Sequence, residues 1–203
     1  MGKTETESSR FGKSRNGGFI MNRAGIFMAD GLEEIEALTV VDILRRAQID
    51  IRMISINGTK RVTGAHGIVL ETDEILEEAD TDSLDLLVLP GGMPGTLHLG
   101  ACERLTEELK KADAQKRGIA AICAAPSILG DLGILSGRKA VCYPGFEDRL
   151  QGADVVREPV VTDGHITTSR GMGTAIAFAL ELVARLQDRE SAGRIGTSIL
   201  YCV

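Results

Sequence analysis

Cys123 is the residue of this chain best placed for covalent chemistry. Ile119 to Ile122 is an apolar run with the length and composition of a strand buried on both faces, and Ala124 to Leu132 then reads as a helix. Pro126 falls in its first turn, where a missing N–H does no harm. A side chain at such a junction points at a helix N-terminus, whose unpaired N–H groups and partial positive charge favour a thiolate. The same residue types also fit a small buried hydrophobe. Glu36 is the second candidate. Helical spacing over Glu33 to Gln48 puts it on one face with Val40, Ile43, Leu44 and Ala47, within an apolar stripe. A carboxyl there is desolvated and becomes a protonated donor, whereas at the edge of the stripe it would reach water. Gly91 and Gly92, in Pro90-Gly91-Gly92-Met93-Pro94-Gly95, would let backbone N–H groups approach a ligand closely. The lysine and hydroxyl ending of a phosphate loop is absent there.

The elements that must hold these residues alternate along the chain. Strands are expected at Arg23 to Ala29, Asp50 to Ile56, Leu84 to Leu89, Ile119 to Ile122, Lys139 to Cys142, Val155 to Val161 and His165 to Thr168. Helices are expected at Glu33 to Gln48, Glu103 to Arg117, Ala124 to Leu132, Met172 to Leu186 and from Glu190 onward, with a small hairpin over Arg61 to Leu70. Such alternation implies an α/β fold, a mainly parallel sheet with helices on both faces. Ligands bind such sheets outside the carboxyl ends of the strands, so Asp30-Gly31, Pro90-Gly91-Gly92 and Cys123 should converge on one crevice. His66 near the hairpin tip reads as solvated, and His98 and His165 as structural or exposed without an assignable partner. Leu38 and Val41 form a second apolar spot on the first helix, which fits a subunit contact or cover by another layer of the same domain.

Composition narrows the function classes. The 203 residues carry a net charge of −6, no Trp and only 3% aromatics. No basic run with interleaved aromatics serves nucleic acid, and no apolar stretch approaches the roughly 18 residues of a membrane span. Cys102, Cys123, Cys142 and Cys202 show neither a CxxC pair nor zinc spacing, so no metal is expected and they read as reduced thiols of a cytoplasmic protein. Residues 1–20 are polar, lack the apolar core of a secretory signal and read as a disordered extension. A single domain over 21–203 follows.

Four stretches carry a resemblance: Ala29-Asp30-Gly31-Leu32-Glu33-Glu34-Ile35-Glu36, Leu87-Val88-Leu89-Pro90-Gly91-Gly92, Ala120-Ala121-Ile122-Cys123-Ala124-Ala125-Pro126 and Thr168-Ser169-Arg170-Gly171. In this order and spacing the chain resembles the ThiJ/PfpI superfamily, in its DJ-one branch and of bacterial type. The resemblance implies a flavodoxin-like three-layer sandwich, shared with class I glutamine amidotransferases, and a homodimer. It maps the family's reactive cysteine onto Cys123 and its buried glutamate onto Glu36. Tyr143, before Pro144, stands where mammalian members carry a His. Ala124 stands where protease-like members carry one, and His165 is followed by Ile166 and Thr167 rather than by the amidotransferase His-x-Glu. The expected activity is a cofactor-independent glyoxalase or deglycase acting on small reactive carbonyls of the methylglyoxal type. Cys123 would attack the aldehyde, Glu36 would shuttle the proton, and the N–H groups of Gly92 and Ala124 would hold the oxyanion, with Gly91 and Tyr143 lining the substrate. The alternative is a redox-sensing stress protein or chaperone whose cysteine is oxidised to sulfinate.

Overall fold

The computed structural model describes residues 22–201; the extension expected over residues 1–20, and Cys202, lie outside them. The elements run β1 (Arg23–Met28), α1 (Glu34–Arg46), β2 (Asp50–Ser55), β3 (Arg61–Thr63), β4 (Val69–Glu71), β5 (Glu74–Ile75), β6 (Leu86–Leu89), α2 (Gly95–Ala101), α3 (Glu103–Ala114), β7 (Gly118–Ile122), α4 (Pro126–Asp131), β8 (Lys139–Ala140), β9 (Asp154–Val155), β10 (Val160–Asp163), β11 (Ile166–Ser169), α5 (Ala175–Leu186) and α6 (Arg189–Ser198). Seven strands form one sheet in the order β10-β11-β7-β6-β1-β2-β5. Its pairings are parallel except β10 with β11, a hairpin whose turn is Gly164-His165, one position later than the Asp163-Gly164 of the sequence reading.

Because successive strand side chains face opposite ways, each central strand feeds two cores. Phe27, Leu87, Leu89, Ile119 and Ala121 pack on one face, with Leu99, Leu105, Leu109, Ile128 and Leu129 of α2, α3 and α4. Ile26, Met28, Leu86, Val88, Ala120 and Ile122 pack on the other, with Val40, Ile43 and Leu44 of α1 and Phe178, Leu182 and Val183 of α5. The result is the flavodoxin-like three-layer sandwich. Aliphatic side chains supply nearly all of it, as the scarcity of aromatics requires. No helix among the described residues is long and apolar enough to cross a membrane.

Several elements differ from the sequence reading. Val155 to Val161 is not one strand. Pro159 supplies no N–H for a ladder, and the segment divides into β9, which pairs with β8 outside the main sheet, and β10, which pairs with β11. The strand expected over Lys139 to Cys142 stops at Ala140. There the Val141 N–H leaves the ladder for the Thr168 hydroxyl, at 3.0 Å. α2 has no counterpart in the sequence reading, because two glycines in seven residues hide its helical pattern. Met172–Thr174 is a 3₁₀ turn ahead of α5. The apolar spot on α1 also changes: Val41 is 5% exposed, within the core shared with α5, while Leu38 remains 37% exposed.

Candidate active site

β6, β7 and β11 are neighbours, and the carboxyl ends of all three open onto the same edge of the sheet. Cys123 follows β7 directly and has φ +64°, a left-handed conformation that a side chain adopts only under constraint. Two backbone hydrogen bonds and the start of α4 shortly after it hold it there. Its N–H donates to the Ser169 carbonyl at 3.0 Å, its carbonyl accepts from the Tyr143 N–H at 2.8 Å, and α4 starts with Pro126 at its first position. The sulfur is half-buried.

Glu36 comes from the first turn of α1, on the face carrying Val40, Ile43 and Leu44, and is 1% exposed. Its Oε2 accepts the Gly91 N–H at 2.9 Å, and the carboxyl interacts with the Cys123 thiol. Oε1 is buried without a partner of regular hydrogen-bond geometry. A carboxylate left in that position is costly. Burial therefore raises the Glu36 pKa to about 7, against the thiol and the Gly91 N–H, which favour the ionised form; the Glu33 charge adds to the rise.

Gly91 sits between the pair. A Cβ there would lie 2.5 Å from Cys123 Cβ and 2.6 Å from Glu36 Oε2, so only glycine lets the acid and the thiol meet. Gly92, with φ +92°, presses its Cα against the Leu32–Glu33 backbone, where a Cβ would come within 2.2 Å of the Glu33 N. The Gly91 carbonyl accepts the Glu33 N–H at 2.9 Å, which fixes the start of α1 against the glycine turn. The convergence expected from the sequence is thus realised, with one exception. The Asp30 carboxylate turns away, accepting from the Thr63 N–H at 2.8 Å and the Asn57 amide at 3.0 Å, and so anchors the β3–β4 hairpin.

The N–H groups of Gly92 and Ala124 both reach the Cys123 sulfur and favour its thiolate. They do not prevail. Burial, then the charge of Glu36 and its hydrogen bond, push the thiol up to about 12. The backbone N–H groups thus favour the thiolate, as the sequence suggests, but desolvation of the sulfur and the neighbouring Glu36 outweigh them. Thiol and acid share the site, and a thiolate forms readily only when Glu36 carries the proton.

Tyr143 is 50% exposed, and its ring stands against Gly171. A Cβ on Gly171 would fall 3.2 Å from Tyr143 Cδ2 and 3.9 Å from Cys123 Sγ. Ser169, quoted in the sequence only as part of a motif and without a role, and Thr174, passed over there, hold this turn. Their hydroxyls lie 2.7 Å apart, Ser169 Oγ donates to the Pro159 carbonyl at 2.9 Å, and Thr174 Oγ1 accepts the Gly171 N–H at 3.2 Å. The motif Thr168-Ser169-Arg170-Gly171 was the available signal.

The histidines lie away from the sulfur and all have partners. His66 is exposed as expected, yet its Nδ1 is 2.9 Å from Glu34 Oε2 and 3.7 Å from Glu33 Oε2. His98 Nδ1 contacts the Asp30 carbonyl at 2.9 Å, and His165 Nε2 contacts Asp113 Oδ1 at 2.7 Å, so the sequence reading missed both partners. Glu33, Glu34 and His66 bring ligand-type atoms within 4.8 Å of one another, but Glu34 is already engaged by the His66 ring and by the N–H groups of His66 and Ile68.

Comparisons with known proteins agree with this geometry. A sequence profile of the DJ-1/PfpI family matches residues 22–185. Protein DJ-1 homolog B of Arabidopsis thaliana is 40% identical over 167 residues, 81% of this chain and 38% of that protein. The chain spans less than half the length of this relative and of the Arabidopsis homolog A, of which it covers 45%. A Pyrococcus abyssi protein named a deglycase is 35% identical over 81% of this chain and 99% of its own. The solved structure of oxidized Toxoplasma gondii DJ-1 superposes with a TM-score of 0.86 at 35% identity, covering 90% of this chain and all of that one. With the profile spanning most of its length, and the elbow and buried glutamate in place, the chain belongs to the DJ-1/PfpI family.

Proposed function

We propose that this protein is a glyoxalase or deglycase that needs no glutathione, converting 2-oxoaldehydes of the methylglyoxal type to 2-hydroxy acids on Cys123. One observation carries the reading: a fully buried carboxyl, raised to about 7, beside a constrained half-buried cysteine. An acid so poised gives and takes protons near neutral pH. The Pyrococcus relative's name, deglycase, points the same way.

The steps balance without an external oxidant. With its proton on Glu36, the Cys123 thiolate bonds to the aldehyde carbon, and the carbonyl electron pair moves to oxygen. The N–H groups of Gly92 and Ala124 stabilise that oxyanion, and Glu36 protonates it to give the hemithioacetal. Ionised Glu36 then removes the proton from the former aldehyde carbon. The electron pair passes through an enediolate onto the former ketone oxygen, which takes up the hemithioacetal hydroxyl proton. Protonated Glu36 returns its proton to the neighbouring carbon as the first carbon–oxygen double bond forms. The first carbon is thereby oxidised to a thioester and the second reduced to an alcohol. Water displaces the sulfur, releasing lactate and the thiol. Tyr143 and Gly171 form one wall of the entrance.

The test is lactate formation from methylglyoxal by purified protein without glutathione. Lactate from the parent, none from Cys123→Ser and at least about a 100-fold loss in Glu36→Gln, in line with a lost acid–base group, are expected. Equal lactate from Cys123→Ser removes the proposal. The redox reading is favoured by the same unpartnered Glu36 Oε1, which in its protonated form would donate to a sulfinate. Intact mass after peroxide, beside the lactate assay, separates the two.

The protein also functions, in this reading, as a homodimer. Ile35 and Leu38 of α1 and Ile68 and Val69 of the hairpin are exposed, and Glu34 ties the two segments together through the His66 and Ile68 N–H groups. Leu38→Arg with Ile68→Arg should yield a monomer in sedimentation; an unchanged sedimentation coefficient contradicts this surface.

A further inference from the structure

A cavity of about 550 Å³ is walled in part by Arg170, two positions after the β11 residue Thr168, and has no part in the steps above. Its walls include Cys142, Pro144, Glu147, Arg157 and Arg170. Cys142 and Pro144, both in its wall, are the chain neighbours of Tyr143. Arg170 is its link to the sulfur. Ser169 of β11 pairs in register with Ile122 of β7, so Arg170 and Cys123 are the first residues beyond the ends of two adjacent strands, and the Cys123 N–H donates to the Ser169 carbonyl at 3.0 Å. Gly171, which follows, approaches the Cys123 sulfur directly.

The cavity carries net positive charge. The fields of Arg157 and Arg170 both bear on Glu147 and hold its carboxyl low, after the backbone N–H groups that it accepts, and the Arg170 charge also reaches the Cys142 thiol. Glu147 is already satisfied in part by the Gly145 N–H at 2.6 Å. Arg45, Arg149 and Arg189 are paired with Asp73, Asp131 and Glu181, but among the described residues neither Arg157 nor Arg170 forms an ion pair. Two guanidinium groups and one carboxylate leave one positive charge, and guanidinium planes suit bidentate contact with phosphate or carboxylate. The volume falls within the usual range for ligand pockets, about 300–1,000 Å³, and is generous for a three-carbon aldehyde.

We propose that the Arg157–Arg170 cavity is an anion subsite, which gives Cys123 a preference for 2-oxoaldehydes bearing a carboxylate or phosphate tail. The substrate's aldehyde carbon would meet the sulfur while its tail passes Tyr143 to the two arginines. This deepens the activity proposed above and rests on it. The positive charge of the cavity itself does not depend on turnover, and a small anionic reagent at Cys123 would sense it through the same tail position.

Two measurements separate the claims. In the first, kcat/KM is compared for methylglyoxal, 4,5-dioxopentanoate (carboxylate tail) and hydroxypyruvaldehyde phosphate (phosphate tail). The parent should favour a tailed substrate about tenfold or more, and Arg157→Gln should lower the tailed-to-neutral ratio about tenfold, the size expected for one charged hydrogen bond. Arg194→Gln, on α6, serves as the control and should leave the ratio unchanged. Whichever tail shows the larger ratio identifies the class. In the second, Cys123 is alkylated with iodoacetate and with iodoacetamide. The parent's iodoacetate-to-iodoacetamide rate ratio should exceed that of Arg157→Gln several-fold and should collapse toward it in high salt. Turnover of methylglyoxal with unchanged ratios in both measurements overturns the subsite alone. No turnover of any aldehyde, with the alkylation ratio still falling in Arg157→Gln, overturns the activity and leaves the anion site standing.

Discussion

Replacing Glu36 by glutamine should stabilise the protein at pH 8 and change its stability little at pH 4. The parent carboxyl is 1% exposed, and burial is the main reason that its pKa rises from 4.5 to about 7. A group raised on folding gives its full contribution below the unfolded pKa and loses it as pH climbs through the folded one. Here the loss falls between about pH 4.5 and 7. At about 1.4 kcal/mol per pH unit, that gap comes to about 3 kcal/mol of ionisation cost carried by the folded parent at pH 8. Against a typical stability of about 5–15 kcal/mol this is readily measured. Glutamine has nearly the same shape, its amide oxygen can accept the Gly91 N–H, and it carries no charge. Urea unfolding followed by circular dichroism at pH 4, 6 and 8 should show the variant gaining from near zero to about 2–3 kcal/mol. A parent as stable as the variant at pH 8 would mean that the folded chain holds this carboxylate without penalty, and the reasoning would fall.

Gly91→Ala should cost about 1–3 kcal/mol of stability, as overpacking does, and should abolish lactate formation, because its Cβ would meet Cys123 Cβ at 2.5 Å and Glu36 Oε2 at 2.6 Å; thermal unfolding with the lactate assay checks both. His66→Ala should weaken the protein more at pH 5.5 than at pH 8.5. The hydrogen bond to Glu34, then the charges of Glu33 and Glu34, raise the His66 pKa, so its contribution is present below the unfolded pKa and fades as pH rises through the folded one. Melting temperatures across that range report it, and a larger deficit at pH 8.5 contradicts it.

Much of this site is legible in the sequence because it depends on local patterns. The apolar run before Cys123 and the wheel position of Glu36 both encode burial, and the turn at Gly91 and Gly92 encodes close approach; these survive folding almost unchanged. What depends on distant partners is not legible. Whether Cys123 is a thiolate turns on a carboxylate 87 positions earlier in the chain, and spacing alone reveals nothing of its charge. The apolar pattern cannot distinguish Val41, covered by α5, from Leu38, which is not. Val155 to Val161 has valines at both ends around Arg157, Glu158 and Pro159, and its two ends pair with different strands, β8 and β11, partners that the segment's own sequence does not name. Arg157 gave no signal at all, since an unpaired arginine is known only once its neighbours are in place.

The shared proton between Cys123 and Glu36 is tested most directly by the rate of iodoacetamide alkylation of Cys123 as a function of pH, in the parent and in Glu36→Gln. In the parent the rate should rise with an inflection near 7, as the pair releases its first proton and thiolate appears beside the protonated acid, and then level off. Glu36→Gln should lose that inflection and show one ionisation at higher pH, below the value of about 12 set partly by the carboxylate charge. Identical profiles with a single inflection near the free-thiol value of about 8.5 would mean that the two side chains titrate independently.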